Sequence, residues 1–371
     1  MTARKIRWGI LSTANIARKN WLAIHNSGNG IVAAVASRDV GRSARFIADC
    51  QSRAPMNPAP VALGSYEELL LRPDIDAVYI PLPTGLRKEW VLKAAAAGKH
   101  VVCEKPCAPT RADLTEMVEA CRQHRVQFMD GVMFMHSGRL ERVRSVLNDR
   151  TGVEGIGGIQ RITTAFTFRA PPEFFTDNIR ANSQLEPQGC LGDLGWYCIR
   201  FALWTMGEQR PKAVTGRLLQ QIQPKGSPSP IPTEFSGELF FEGGASSGFY
   251  CSFLTHNEQL AQINGTQGAV RLTDFVLPFY GDEVAFEVNH AEFVVNGCEF
   301  HMEPRRRRLA LPEYSDGHAS SQETNLFRNF SAQVLSGELN AAWPQIALNT
   351  QSVMDACFDS ARADGRLVAM T

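Results

Sequence analysis

Through residue 130 the chain alternates short apolar runs with longer stretches of helical period, and this rhythm restricts the fold more than any other feature. Ile6–Leu11, Ile31–Ser37, Ala77–Pro81, His100–Cys103 and Gln127–Asp130 have the length and Val/Ile/Ala content of strands. Between them, Ile16–Ser27, Gly41–Cys50, Tyr66–Leu71, Arg87–Ala97 and Arg111–His124 have helical spacing, and Gly98 supplies a C-terminal stop. Strands separated by helices pair in parallel through right-handed crossovers. The runs lack period-two alternation, which predicts a sheet covered on both faces.

Beyond residue 130 the rhythm changes. Leu194–Met206 is a nearly all-apolar helix, and alternating segments follow it. Phe235–Glu242, Ser246–Leu254, Gln259–Gly265, Gly268–Leu272 and Val284–Val288 predict antiparallel strands, with Gly243-Gly244 as a hairpin turn. Pro224–Pro232 has the composition of a surface loop, and Glu323–Ser336 and Ile346–Ala363 predict two closing helices. A length of 371 residues exceeds the roughly 250–300 at which single cores stop growing. The expectation is an α/β protein of two domains: residues 1–130, and an α+β domain at 131–371 with a large, mostly antiparallel open sheet.

Charge and cysteine usage exclude several classes of function. The 38 Lys+Arg balance 38 Asp+Glu, so no overall field draws in nucleic acid or an anionic membrane. No apolar run is long enough for a transmembrane helix. MTARKIRWGIL passes into a strand within a few residues, so no leader is expected. Nine cysteines include no CxxC pair and sit mostly among apolar residues, as reduced thiols of a cytoplasmic protein do. The histidines show neither HExxH spacing nor paired ligands, so no metal is expected. The cation run at Arg305–Arg308 is expected as a solvated turn or a subunit contact.

Between the first strand and helix, Ser12, Ala14 and Ala17 take the three places of a G-x-G-x-x-G/A fingerprint, within Ser12-Thr13-Ala14-Asn15-Ile16-Ala17. Small residues there allow a tight turn and a close approach of backbone N–H groups to a pyrophosphate, the mark of a Rossmann dinucleotide-binding domain. At the tip of the second strand, Ser37 and Arg38 precede Asp39, where an acid would grip the ribose 2′-OH of NAD. A guanidinium suits a 2′-phosphate, which favours NADP over NAD. The alternative makes Arg38 a solvated charge and Asp39 a helix cap.

Catalytic chemistry is concentrated at Glu104-Lys105-Pro106, which ends a parallel strand on the edge where such sheets bind ligands. Pro81-Leu82-Pro83-Thr84 ends the preceding strand and forms a rigid wall beside it. Asp193 and Tyr197, four residues apart, fall on one helix face. Oxidising an alcohol needs a base, and a free phenol with pKa near 10 is a poor one. An ammonium from Lys105 beside Tyr197 would stabilise the phenolate, with Asp193 orienting the reactants. The structural alternatives are a core aromatic at Tyr197, a helix cap at Asp193 and a surface lysine at Lys105. Arg180 lies on a polar loop where sugar-binding side chains could sit, with a surface position as the leading expectation.

The string AGKHVVCEKP at 97–106 resembles the hallmark of the glucose–fructose oxidoreductase / inositol dehydrogenase superfamily, and the likeness extends along the chain to Trp343-Pro344 and the closing helix. Many members carry Asp-x-Gly-x-His where this chain has Asp193-Leu194-Gly195-Trp196-Tyr197. The Tyr form resembles the branch containing D-xylose dehydrogenase and dimeric dihydrodiol dehydrogenase. That resemblance implies hydride transfer between a nicotinamide and a sugar, polyol or cyclic diol. It also implies catalytic Lys105, Tyr197 and Asp193, and a homodimer or larger assembly. The chain departs from the pattern at Ser12 and Ala14, where glycines are usual, and at Thr84 and Arg87, where Asn and His are common. Two alternatives stay open: a glycosidase using tightly held NAD, and a non-catalytic sugar or dinucleotide sensor.

Overall fold

The computed structural model describes residues 4–149 and 154–370. The first half runs β1 (Ile6–Leu11), α1 (Asn15–Asn26), β2 (Gly30–Ala36), α2 (Val40–Gln51), β3 (Val61–Leu63), α3 (Tyr66–Leu70), β4 (Ala77–Ile80), α4 (Thr84–Ala96), β5 (His100–Cys103), α5 (Arg111–Gln123) and β6 (Phe128–Asp130). Its six strands are parallel in the order β3-β2-β1-β4-β5-β6, so the order reverses between β1 and β4. That reversal opens a crevice at the carboxyl ends of the strands. The alternating rhythm predicts these elements to within a few residues; only β3 has no counterpart in it, being three residues long.

The second half adds α6 (Gly138–Asn148), β7 (Ile159–Thr167), α7 (Phe174–Asp177), α8 (Trp196–Thr205), β8 (Ala213–Ile222), β9 (Ile231–Phe240), β10 (Ser246–Ser252), β11 (Glu258–Gly265), β12 (Ala269–Leu272), β13 (Glu283–Asn289), β14 (Glu292–Asn296), β15 (Glu299–Glu303), β16 (Arg306–Pro312), α9 (Gln322–Ser336), α10 (Ala342–Arg362) and β17 (Val368–Ala369). Nine strands form one sheet in the order β16-β13-β12-β11-β7-β10-β9-β8-β17, antiparallel except where β10 meets β7. Aromatic and aliphatic side chains on one face, such as Phe235 and Ile162, join Phe201 and Cys357 from the helices in a common core. The other face carries polar cross-strand pairs, including Arg161 with Glu238 and Tyr250 with Glu234.

Three expectations change here. The run at Arg305–Arg308 is not a turn, because Arg306–Arg308 begin edge strand β16. Ile231 and Pro232, expected in a loop, begin β9. The closing helix α9 does not stay with the second sheet: Phe327 and Phe330 pack on Trp8 of β1 at 5.2 and 5.3 Å between rings, and Phe327 reaches Tyr79 of β4 at 5.6 Å. Part of the 131–371 segment thus completes the core of the first sheet.

Candidate active site

The turn after β1 departs from its glycine pattern in a defined way. Ser12 holds φ at 134°, a value that favours glycine, and its hydroxyl accepts a hydrogen bond from the Ala14 N–H at 3.0 Å. The first N–H groups of α1 then emerge with no side-chain cap and no acid in the first turn. A helix start left open in this way fits a pyrophosphate. Ser37 is buried, its hydroxyl donating to the Asp39 carbonyl at 2.7 Å, so it braces the turn that presents exposed Arg38. Asp39 caps α2 by accepting from the Arg42 N–H at 3.2 Å. Arg42 is a partner that sequence spacing missed. Burial raises the Tyr66 phenol above its usual range, and Arg38 and Arg42 both oppose that shift, which places two cations around one position.

At the end of β5 the Lys105 ammonium donates to the Asp193 carbonyl at 2.6 Å and to its carboxylate at 2.8 Å. It also sits 4.4 Å from the centre of the Tyr197 ring. Asp193 does not lie in a regular α-helix as the i, i+4 spacing supposes. Leu191–Gly195 form a π-helical turn, and α8 starts only at Trp196. Gly192 lets this turn close on Pro106, since a Cβ there would lie 3.2 Å from the proline ring. Arg180, expected at the surface, grips Asp193 through two bonds of 2.7 and 3.2 Å. No spacing rule connects residues 180 and 193, because the contact forms only when their loop folds back.

Electrostatics follow from this packing. Burial alone would raise the Asp193 carboxyl, but Arg180 and Lys105 outweigh it and hold the group well below the usual carboxylate range. Tyr197 moves the other way: burial, then the Glu104 and Asp193 carboxylates, push its phenol well above the ordinary value. Lys105 therefore does not bring this phenol toward neutrality as its position in the sequence suggested. Its ammonium is engaged by Asp193, and Tyr197 remains a protonated acid. Glu104 is fixed from behind, accepting from the Tyr79 hydroxyl at 2.5 Å, which in turn accepts from Asn20 at 2.6 Å.

Two cavities meet at this cluster. One, about 560 Å³, is lined by Ala14, Asn15, Ile16, Pro81, Leu82 and Glu104 on the first sheet. The other, about 500 Å³, is walled by Phe166, Phe168, Leu277 and Phe279 with the polar side chains of Asn257 and Gln259. Lys105, Arg180, Asp193 and Tyr197 line both. Seven of the expected cofactor residues thus converge on one cavity; Ser12, Thr13 and Pro83 shape its turns without lining it.

Thr84 has a different place. It is fully buried, and its N–H and hydroxyl donate to the Glu186 carboxylate at 3.1 and 2.6 Å. The Gly85 N–H adds a 2.9 Å bond to the Leu185 carbonyl. The loop bearing Arg180 is therefore clamped onto the start of α4, and Arg87, beneath it, donates to Thr84 and to the Leu82 carbonyl. Changing Glu186 to Ala takes the acceptor from two buried donors, so a loss of about 2–4 kcal/mol is expected in urea unfolding, and Glu186→Gln, which keeps only one of the two acceptor oxygens, should lose part of it. A midpoint unchanged in Glu186→Ala would remove the clamp.

Comparison with known proteins agrees with this geometry. Residues 6–132 match the oxidoreductase family with an NAD-binding Rossmann fold, and residues 152–271 match the GFO/IDH/MocA C-terminal domain. A dTDP-3,4-didehydro-2,6-dideoxy-alpha-D-glucose 3-reductase of Saccharopolyspora spinosa is 33% identical over 72% of this chain and 74% of its own. The chain belongs to the GFO/IDH/MocA family. The D-xylose 1-dehydrogenase (NADP(+)) 2 of Haloferax volcanii is 32% identical over 70% of this chain and 74% of its own. The trans-1,2-dihydrobenzene-1,2-diol dehydrogenase of Mus musculus is 31% identical over 79% and 78%. As a GFO/IDH/MocA protein the chain is an oxidoreductase with a nicotinamide-dinucleotide fold.

Proposed function

We propose that this protein is an NADP-dependent oxidoreductase, with NAD as the weaker cofactor, interconverting a secondary alcohol and a carbonyl on a sugar, polyol or cyclic diol. The observation that carries the reading is the shared wall: four polar residues stand between a cavity on the dinucleotide edge and a cavity lined by aromatic rings. Relatives named for sugar and dihydrodiol substrates, one of them for NADP(+), support the same substrate class and cofactor.

The open start of α1 fits the pyrophosphate, Arg38 and Arg42 the 2′-phosphate, and Pro81, Leu82 and Glu104 the nicotinamide end. A nicotinamide bound there donates or accepts hydride. In reduction, Tyr197 gives its phenolic proton to the carbonyl oxygen; in oxidation, the phenolate takes it back. Asp193 holds Lys105 beside the Tyr197 ring. Arg180 positions Asp193 and closes the polar side of the substrate cavity.

Arg38→Ala should raise KM for NADP about tenfold or more, a loss of about 1.4 kcal/mol, while leaving KM for NAD nearly unchanged. Steady-state kinetics with both cofactors checks this, and an equal effect on the two would sever Arg38 from the phosphate. The activity itself is tested by following nicotinamide absorbance with a panel of aldoses, inositols, cyclic diols and their ketones. Hydrolysis of a chromogenic glycoside with no net cofactor change, or cofactor binding without turnover on any compound, overturns the reading.

Two further parts of the proposal concern setting and assembly. Eight buried, unbonded cysteines support a reducing, cytoplasmic location. The polar open face of the nine-stranded sheet supports a homodimer or larger homo-oligomer, the usual use of such a surface in this family. Nothing in the proposal requires a metal, a nucleic acid or a membrane.

A further inference from the structure

Two ion pairs tie helix α8 to the first sheet, one on either side of Tyr197. Asp193, four residues before it, meets Lys105 beyond the end of β5 at 2.8 Å. Arg200, three residues after it, meets Asp130, the last residue of β6, at 2.6 Å. This second pair lines neither of the two cavities and takes no part in the chemistry assigned above. Its side chains are 2 and 5% exposed. The Arg200 guanidinium also donates to the Thr350 hydroxyl of α10 at 2.8 Å, and that hydroxyl donates to the Ile346 carbonyl at 2.9 Å. Helix α8 is therefore held from β5, from β6 and from α10.

The strand end that receives Arg200 is part of the nucleotide edge. Asp130 pairs in register with Cys103, the residue before Glu104. The Gly131 N–H donates to the Cys103 carbonyl at 2.7 Å. Gly131 also lies against Glu104, since a Cβ there would stand 3.3 Å from the carboxylate. The end of β6 thus backs the Glu104 wall of the dinucleotide cavity.

A buried ion pair is a weak source of stability, because apolar side chains of similar volume often serve as well. What it supplies is geometry. The guanidinium and carboxylate meet in one orientation, whereas apolar contacts tolerate sliding. A single attachment at Asp193 would leave α8 free to pivot, and the second attachment at Arg200 removes that freedom.

We propose that Asp130 and Arg200 are positioning residues for proton transfer, their pair setting the place of the Tyr197 hydroxyl relative to the nicotinamide end of the cavity. The inference rests on Tyr197 as the proton donor. Misplacing a reacting group by about 1 Å can cost about a hundredfold in rate. Affinity for the cofactor comes from the start of α1, Arg38 and Arg42, all remote from the pair in sequence, so rate and affinity separate.

Single-turnover reduction of a ketone from the panel tests this in Asp130→Asn, Arg200→Lys and Thr350→Val, each alone and combined with Tyr197→Phe. Affinity for NADPH is read from the fluorescence of the nucleotide. Asp130→Asn and Arg200→Lys should slow the step by about ten- to a hundredfold and leave NADPH affinity within about twofold. Thr350→Val, which keeps the pair and removes one bond to it, should slow the step less and carries the comparison if the charge variants do not fold. On the Tyr197→Phe background the same changes should cost almost nothing further, because the transfer they serve is already lost. In a crystal structure of the free Asp130→Asn protein the Tyr197 ring should stand about 1 Å from its wild-type place beside Lys105. Equal losses in both backgrounds show general packing and overturn the proposal, as does a wild-type rate in the single variants, a parallel loss of NADPH affinity, or an unmoved ring. A wild-type rate in Tyr197→Phe itself is a separate result, which removes the proton donor and the proposal with it.

Discussion

Replacing Tyr197 with phenylalanine should lower kcat for carbonyl reduction by roughly 10²–10⁴-fold, with KM for the cofactor almost unchanged. The substitution removes one hydroxyl and keeps the ring that packs on Phe166 at 5.6 Å and Phe134 at 6.1 Å, so the fold has little reason to respond. The proton that neutralises the developing alkoxide is then lost, and only the effects of binding and orientation remain. Because burial and two carboxylates keep the Tyr197 phenol protonated, reduction by the wild type should be flat with pH across the neutral range. Oxidation, which needs the phenolate, should rise steadily into alkaline pH. Stopped-flow traces of the first turnover in each direction would separate the chemical step from product release. Equal rates for Phe and Tyr at this position would exclude the phenol from proton transfer.

Asp193→Ala carries the second large effect, and it falls on stability as well as rate. The carboxylate is nearly buried and is the meeting point of Lys105 and Arg180. Deleting it leaves two cations facing each other in a site with little water, and loss of one partner from such a cluster costs about 3–5 kcal/mol. The pH dependence has a definite sign. The Asp193 carboxyl titrates below its unfolded value, so its contribution is complete above about pH 4 and is lost as pH falls through the depressed value. Asp193→Asn should therefore flatten the acid limb of the wild-type stability curve as well as lower its plateau. Urea unfolding at neutral pH and at the acid edge measures both. A variant as stable as wild type at neutral pH would deny the carboxylate its place between the two cations.

The first half of the molecule was largely legible because buried parallel strands write themselves as short apolar runs, and β5 ends at Cys103 as its sequence predicts. The strand-end motifs followed from that, and with them Glu104 and Lys105. Strand β7 was not legible, although it sits in the middle of the large sheet: IQRITTAFT mixes polar and apolar residues without the turn signals that frame the other strands. Contacts made by loop folding were also hidden. Arg180 and Glu186 carry no periodicity, and only the fold shows one gripping Asp193 and the other capping α4 through Thr84. The direction in which the Tyr197 phenol shifts is hidden for a related reason. A sequence names the ammonium beside a phenol, but the carboxylate that claims that ammonium first is visible only in space.

The helix beneath the first sheet has a consequence for how this protein comes into being. Trp8 and Tyr79 leave the ribosome long before the aromatic side chains that cover them, which belong to residues 327 and 330. Until those are synthesised, a nascent chain holds the nucleotide-binding half with an uncovered apolar underside, and Tyr79 is also the support on which Glu104 rests. The usual order, in which an amino-terminal domain matures while the rest is still being translated, is thereby blocked. Competence to bind nucleotide should arrive late and all at once, and fragments ending before residue 322 should associate with chaperones rather than with cofactor.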